Sequence, residues 1–175
     1  MEQYMELVKA RAIAEELKPL LEPACQRIVI AGSIRRRKPE VGDIELLCIP
    51  KYDGPVDLLD REIRLLIEQG ILSFRCNKLG SKVYGPKNKL MVHIPSGIGV
   101  DIFSTTEDCW PVALVVRTGG AETNKRIATA ALGKGWSFHA YGRGFTTPQG
   151  ERVCRSEREV FEAVGLPYLE PWERR

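Results

Sequence analysis

The chain has 175 residues, 43% hydrophobic and 28% charged, an ordinary globular composition that suits one compact domain or two small lobes and excludes a disordered polypeptide. A net charge of +3 and a pI near 8.6 are mildly basic, which is compatible with a polyanionic partner without establishing one. Cys25, Cys48, Cys76, Cys109 and Cys154 form no C-x-x-C pair, His93 and His139 are too separated for a zinc site, and no membrane-length apolar run or secretory leader is present, so reduced thiols in a cytoplasmic, non-secretory setting are expected.

From Gln3 to Leu21 the apolar residues recur at helical spacing, with Pro19 and Pro23 marking the end of a helix expected to pack behind a sheet. Ile28 to Ala31 reads as a strand, Gly32-Ser33 as a turn opening a short helix, and Arg35 to Lys38 as a basic loop. A second strand then runs to Ile49 and carries Asp43 and Glu45 in otherwise apolar surroundings. Two residues apart on a strand, these acids project from one face with Cα atoms about 6.6 Å apart. Pro55 to Gln69 reads as a helix with Pro in its first turn and Gly70 as its stop. Ile71 to Asn77 reads as a strand, and Ser81 to Tyr84 with Lys89 to Ile94 as a hairpin turning at Gly85-Pro86-Lys87-Asn88. Gly99 to Phe103 is a further strand, with Asp101 set among apolar residues where an unpaired acid is costly.

Beyond Phe103 the pattern becomes helical. Thr105 to Asp108 is a capping sequence before an apolar helix from Pro111 to Val116, and a second helix spans Ala121 to Lys134. Trp136 to Ala140 and Gly144 to Thr147 suggest a hairpin, and Ser156 with Glu159 is a capping box for a last helix that closes at Gly165. The lobe boundary is expected near residue 106, giving lobes over 1–106 and 107–175.

The chemistry concentrates in the first half. A rigid carboxylate pair suits Mg²⁺, which takes hard oxygen ligands and is usually held by one or two carboxylates together with substrate phosphates. Asp101 supplies a third acid if its strand lies beside that of Asp43. A Gly-Ser turn at the start of a helix presents backbone N–H groups to an anion, and Arg36 lies three residues beyond Ser33. Taken singly, each feature also fits a solvated strand face or surface turn.

In combination, G-S-x-x-R, then V-G-D-I-E, then V-D-I-F resembles the nucleotidyltransferase fold and in particular the X family of DNA polymerases. The resemblance continues through Thr118-Gly119-Gly120, Asn124, Leu132, Gly135 and Gly165 to Pro171. It implies an α+β palm with a mixed or antiparallel sheet, followed by a small thumb-like lobe. It further implies two Mg²⁺ ions, with Mn²⁺ as a substitute, held by Asp43, Glu45 and Asp101. Gly32, Ser33, Arg36 and Gly42 are implied at the triphosphate, and Arg117, Gly119 and Asn124 at the nucleotide's sugar and base. Lys82, Lys87, Lys89 and Arg143 are candidate contacts to the DNA backbone. The implied reaction is DNA-directed nucleotidyl transfer from a deoxynucleoside triphosphate to a primer 3′-hydroxyl, in short gap filling or repair, by a monomer. Transfer to RNA, protein or a small molecule, or a non-catalytic nucleic-acid-binding module, are the alternatives. Glu45 departs from the Asp usual in the family, and Val116-Arg117 replace an aromatic pair.

Overall fold

The computed structural model describes residues 3–175; residues 1 and 2, at the start of the expected first lobe, lie outside the described residues. The first lobe opens with a two-residue strand, β1 (Met5–Glu6), and a helix, α1 (Leu7–Leu21). Expected from Gln3, the helix starts four residues later, because Met5 and Glu6 pair antiparallel with β3 (Glu40–Val41). It carries Pro19 internally and buries Ala10, Ala14, Leu17 and Leu21, a stripe at i, i+4, i+7 and i+11 that faces the sheet.

Strand β2 (Cys25–Ile30) runs into the single-turn helix α2 (Gly32–Arg35), and β4 (Asp43–Pro50) follows β3. The hairpin β5 (Tyr52–Asp53) and β6 (Val56–Asp57) precedes helix α3 (Leu58–Glu68). Pro55 therefore sits in the hairpin turn and not in the helix's first turn. The helix starts instead at the Asp57 cap, whose carboxylate accepts the Asp60 N–H at 3.0 Å. Strands β7 (Leu72–Phe74), β8 (Asn88–His93) and β9 (Gly99–Ser104) complete a five-stranded sheet in the order β2-β4-β9-β8-β7. Its β4–β9 pair is parallel and the other pairs are antiparallel. The expected hairpin of residues 81–84 with 89–94 is present only at its turn, where Tyr84 bridges Lys89 and the Gly85 and Leu90 N–H groups donate to the Asn88 and Val83 carbonyls at 2.9 Å; as a ladder, β8 pairs instead with β7 and β9. Within the intervening chain Cys76 bridges Lys82, and the Ser104 N–H of β9 donates to the Lys87 carbonyl at 2.8 Å.

The second lobe begins at helix α4 (Trp110–Thr118), which Cys109 precedes, not the Thr105–Asp108 cap. Helix α5 (Ala121–Gly133) follows, then a three-stranded sheet of β10 (Ser137–Phe138), β11 (Gly144–Thr147) and β12 (Gly150–Val153), and helix α6 (Glu157–Ala163). Ser156 caps α6 by accepting the Glu159 N–H at 3.1 Å, while the Glu159 carboxylate turns to the Arg155 N–H, so the capping box is only half formed. One apolar core is drawn from residues 10–102 and a second from residues 112–164. Leu47, Ile49, Phe103, Trp110 and Ala113 form a smaller apolar joint between the lobes. The five thiols are free, and no helix among the described residues is long and apolar enough to cross a membrane.

Candidate active site

The acids converge because of one pairing. Parallel registration of β4 with β9 sets Glu45 directly beside Asp101 and Asp43 beside Gly99, so all three carboxylates share one face at the start of the two strands. Asp43 is exposed, whereas Asp101 is 9% exposed. Burial, and then the neighbouring Asp101 charge, push the Glu45 carboxyl up to about 7 despite the cations Arg36 and Arg117. Burial likewise lifts Asp101 to about 6, held down by Arg75 and lifted further by Asp43. Two desolvated carboxyls side by side disfavour their ionised forms unless a cation neutralises them. Among the described residues no three acid, His or Cys side chains are already gathered as a metal cage. Instead Arg75 stands among the acids, its guanidinium 2.6 Å from Asp101 Oδ1 and 3.4 Å from Asp43 Oδ1. Arg75 escaped the sequence reading; its only signal was an arginine at the end of a short strand run.

The Gly32-Ser33 turn lies against the same face. Gly32 has φ +60°, and a Cβ there would stand 2.5 Å from Glu45 Oε2, so the turn needs glycine for both conformation and room. Ser33 follows it in α2. Arg36 is close enough to Glu45 to lower its pKa, but its Nη1 donates to the Thr118 carbonyl at 2.5 Å and its Nε is buried without a partner. Gly42 is less constrained, since a Cβ there would meet the Tyr4 ring at 3.7 Å, an ordinary van der Waals contact.

The Thr118-Gly119-Gly120 turn closes the site from the second lobe. Gly119 has φ +71°, and a side chain there would approach Arg36 Nη1 to 2.9 Å; the peptide between Gly119 and Gly120 is cis. Asn124 Nδ2 donates to the Val116 carbonyl at 2.9 Å, and its Oδ1 is buried without a partner. The Arg117 guanidinium lies 3.8 Å over the Phe103 ring and donates to Tyr141 Oη at 3.0 Å, which in turn donates to Asn88 Oδ1 at 2.9 Å. Arg117 thus joins the two lobes while its charge lowers the pKa of Glu45 and Asp101, a role neither Tyr141 nor Asn88 signalled locally.

Beneath this surface a charged cluster fastens α2 to the second lobe. Arg35 bonds Glu157 through both guanidinium nitrogens at 2.8 and 2.7 Å and Thr118 Oγ1 at 2.7 Å. Arg174, fully buried, bonds the same carboxylate at 2.7 Å. Arg37 stacks 3.9 Å over Trp172. The basic loop is therefore largely committed to protein partners.

Of the candidate DNA contacts, Lys82 and Lys87 are exposed, stacked 4.2 Å over Phe74 and 4.6 Å over Tyr141. Arg143 is exposed and paired with Glu151 at 2.5 Å. Lys89 is a correction: it is 2% exposed, its Nζ donates to the Gly85 carbonyl at 2.9 Å, and burial lowers its pKa. An enclosed ammonium is not presented to a phosphate backbone.

A mixed sheet that brings acids together from two parallel strands, beside a Gly-Ser turn, makes the first lobe an α+β palm, and a thumb-like lobe follows it. The comparisons agree. Residues 113–175 match the family described as DNA polymerase beta thumb. The chain is 29% identical over 164 residues to DNA polymerase lambda of Rattus norvegicus, an alignment that takes in 83% of this chain and 28% of that protein, so the chain spans under a third of that relative's length. Its fold is similar to the crystal structure of Leishmania infantum polymerase beta in a ternary P/T complex, with a TM-score of 0.73 and 21% identity, covering 99% of this chain and 77% of that one. The chain is thus similar to X-family DNA polymerases, in sequence to the lambda enzyme and to the beta thumb, and in fold to polymerase beta.

Proposed function

We propose that the chain is a DNA-directed DNA polymerase that transfers a nucleotidyl group from a deoxynucleoside triphosphate to a primer 3′-hydroxyl, filling short gaps as a monomer. The observation that carries this reading is the parallel register that sets Glu45 beside Asp101, with Asp43 two residues before Glu45 on the same strand face.

The donor set fits Mg²⁺, or Mn²⁺ in its place. Three carboxylates offer hard oxygens, burial and the neighbouring acids lift the pKa of two of them, and a guanidinium already stands in as a cation. Asp43, Glu45 and Asp101 would hold two ions. When bound, such ions stabilise the attacking and leaving oxygens of an in-line displacement. The protein's own groups do the rest. Backbone N–H groups of Gly32 and Ser33 face the triphosphate, and Arg36 turns from the Thr118 carbonyl to the departing phosphates. Gly119, bare of a side chain, lets the sugar approach the backbone, and Asn124 offers its unpaired Oδ1 to the nucleotide. Arg117 over Phe103 walls one side of the acid cluster. Lys82, Lys87 and Arg143 meet the DNA phosphates, giving affinity that falls steeply with salt.

Labelled nucleotide, Mg²⁺ or Mn²⁺, and either a primer-template or a single-nucleotide gap test the proposal. Template-directed extension is expected, and Asp101→Ala should abolish it while leaving a folded protein. Transfer to another acceptor, or a DNA mobility shift with no product, would replace the polymerase reading by one of its alternatives. Near-normal turnover in Asp101→Ala would remove the acids from the mechanism.

A further inference from the structure

Arg75 is the most unexpected charge at the site. It follows β7, an edge strand, and its backbone N–H is fixed to the Leu90 carbonyl at 3.0 Å. From there its side chain crosses β8 and β9 to reach the acids of β9 and β4. Its two terminal nitrogens each take one oxygen, Nη2 to Asp101 Oδ1 at 2.6 Å and Nη1 to Asp43 Oδ1 at 3.4 Å. The shorter contact is a charge-assisted bond in a protected position, with the Asp101 side chain 12% exposed; the longer one involves a half-exposed Asp43.

Gly99 is an independent observation of the same arrangement. It pairs in register with Asp43, and a Cβ built on it would collide with both Asp43 Oδ1 and Arg75 Nη1. Its backbone is extended strand without a positive φ, so glycine is not required there for conformation. The missing side chain makes the space in which the fork lies.

We infer that Arg75 is a positioning residue that acts as a tethered cation: it holds Asp43 and Asp101 in place in the metal-free protein and competes with a divalent cation for the same oxygens. The inference rests on the proposed metal role of the acids. Two effects act in one direction. A metal must displace at least one arm of the guanidinium from an oxygen it needs, and the remaining positive charge repels the ion. Neutralising Arg75 therefore tightens metal binding, whereas a residue that merely supported the acids would loosen it when removed.

The test is calorimetric titration of Mn²⁺ into metal-free protein without nucleotide or DNA, beside thermal melts with and without Mn²⁺. Arg75→Gln is expected to bind Mn²⁺ about fivefold more tightly, the scale of a modest, partly exposed ion pair. It should melt lower than the parent without metal and gain more from Mn²⁺. Arg75→Lys, whose point charge reaches one carboxylate at a time, should fall between the two and covers the case in which Arg75→Gln does not fold. Affinity at or below the parent's in either folded variant overturns the inference. Asp43→Asn separates the two readings: if it binds Mn²⁺ as well as the parent, or if the parent takes up none, the metal role of the acids fails and the inference falls with it. If Asp43→Asn binds more weakly while Arg75→Gln shows no gain, only the inference fails.

Discussion

Glu157 is the single carboxylate between Arg35 of the first lobe and Arg174 near the C-terminal end, and its loss should be among the most damaging changes away from the acid cluster. The side chains of Arg35, Glu157 and Arg174 are 24%, 11% and 0% exposed. Glu157→Ala removes three hydrogen bonds of 2.7 to 2.8 Å. It also leaves Arg174 buried with one remaining guanidinium bond, from Nε to the Leu169 carbonyl, and with an Nη2 that has no partner even in the parent. Stranding a buried charge in this way typically costs 3–5 kcal/mol; because Arg35 can turn to solvent, a loss of about 3 kcal/mol is expected, or about 10 °C in Tm for a chain of this size. Urea unfolding of parent and variant, followed by tryptophan fluorescence, measures it. A loss below about 1 kcal/mol, the range of ordinary surface ion pairs, would refute the reasoning. The pH dependence gives a second check. Burial alone would raise the Glu157 carboxyl, but the hydrogen bonds and charges of Arg35 and Arg174 hold it below the usual range. A folded pKa below the unfolded one contributes stability above the unfolded value of about 4.3 and loses it as pH falls through the folded value. The gap between parent and variant should therefore be full at neutral pH and narrow below about pH 4.

Gly32→Ala places a methyl against Glu45 Oε2 on a backbone with φ +60°; it is expected to cost about 1–2 kcal/mol and to reduce extension more than stability, read by parallel melts and single-turnover rates. Val116-Arg117 stand where the family resemblance implies an aromatic pair, and Arg117 lies over Phe103, so on the proposed polymerase reading discrimination against ribonucleotides should be weaker than in an aromatic-bearing X-family polymerase; single-turnover incorporation of both sugars opposite one template base decides it, and discrimination as strong as that polymerase's would place the gate at the Thr118–Gly119 backbone. Lys82→Ala and Lys87→Ala should each lower the log–log salt slope of DNA binding by about one, whereas Lys89→Ala, at an enclosed ammonium, should leave the slope unchanged and lower the melting temperature; equal slopes for Lys87→Ala and the parent would reduce that lysine to a solvated partner of Tyr141.

Local chemistry made much of the site legible in sequence. Strand alternation alone puts Asp43 and Glu45 on one face, an acid among apolar residues marks Asp101, and Gly-Ser after a strand marks the turn that opens α2. Helices α5 and α6 were readable from their Gly stops and the Ser156 cap, because those signals act within a few residues. What tertiary structure decided is the pairing of distant parts. Only the parallel register of β4 with β9 makes Glu45 and Asp101 neighbours, and no local pattern specifies a register between strands so far apart in the chain. The same holds for the charges. Sequence shows that Arg35, Arg36, Arg75, Lys89 and Arg117 are cations, but a long flexible side chain takes its partner from whatever carboxylate, carbonyl or ring the fold brings within reach. That is why the basic loop turned out to fasten the lobes through Glu157 and Thr118, why Arg75 entered the acid cluster unannounced, and why Lys89 lies inside the protein and not against a phosphate.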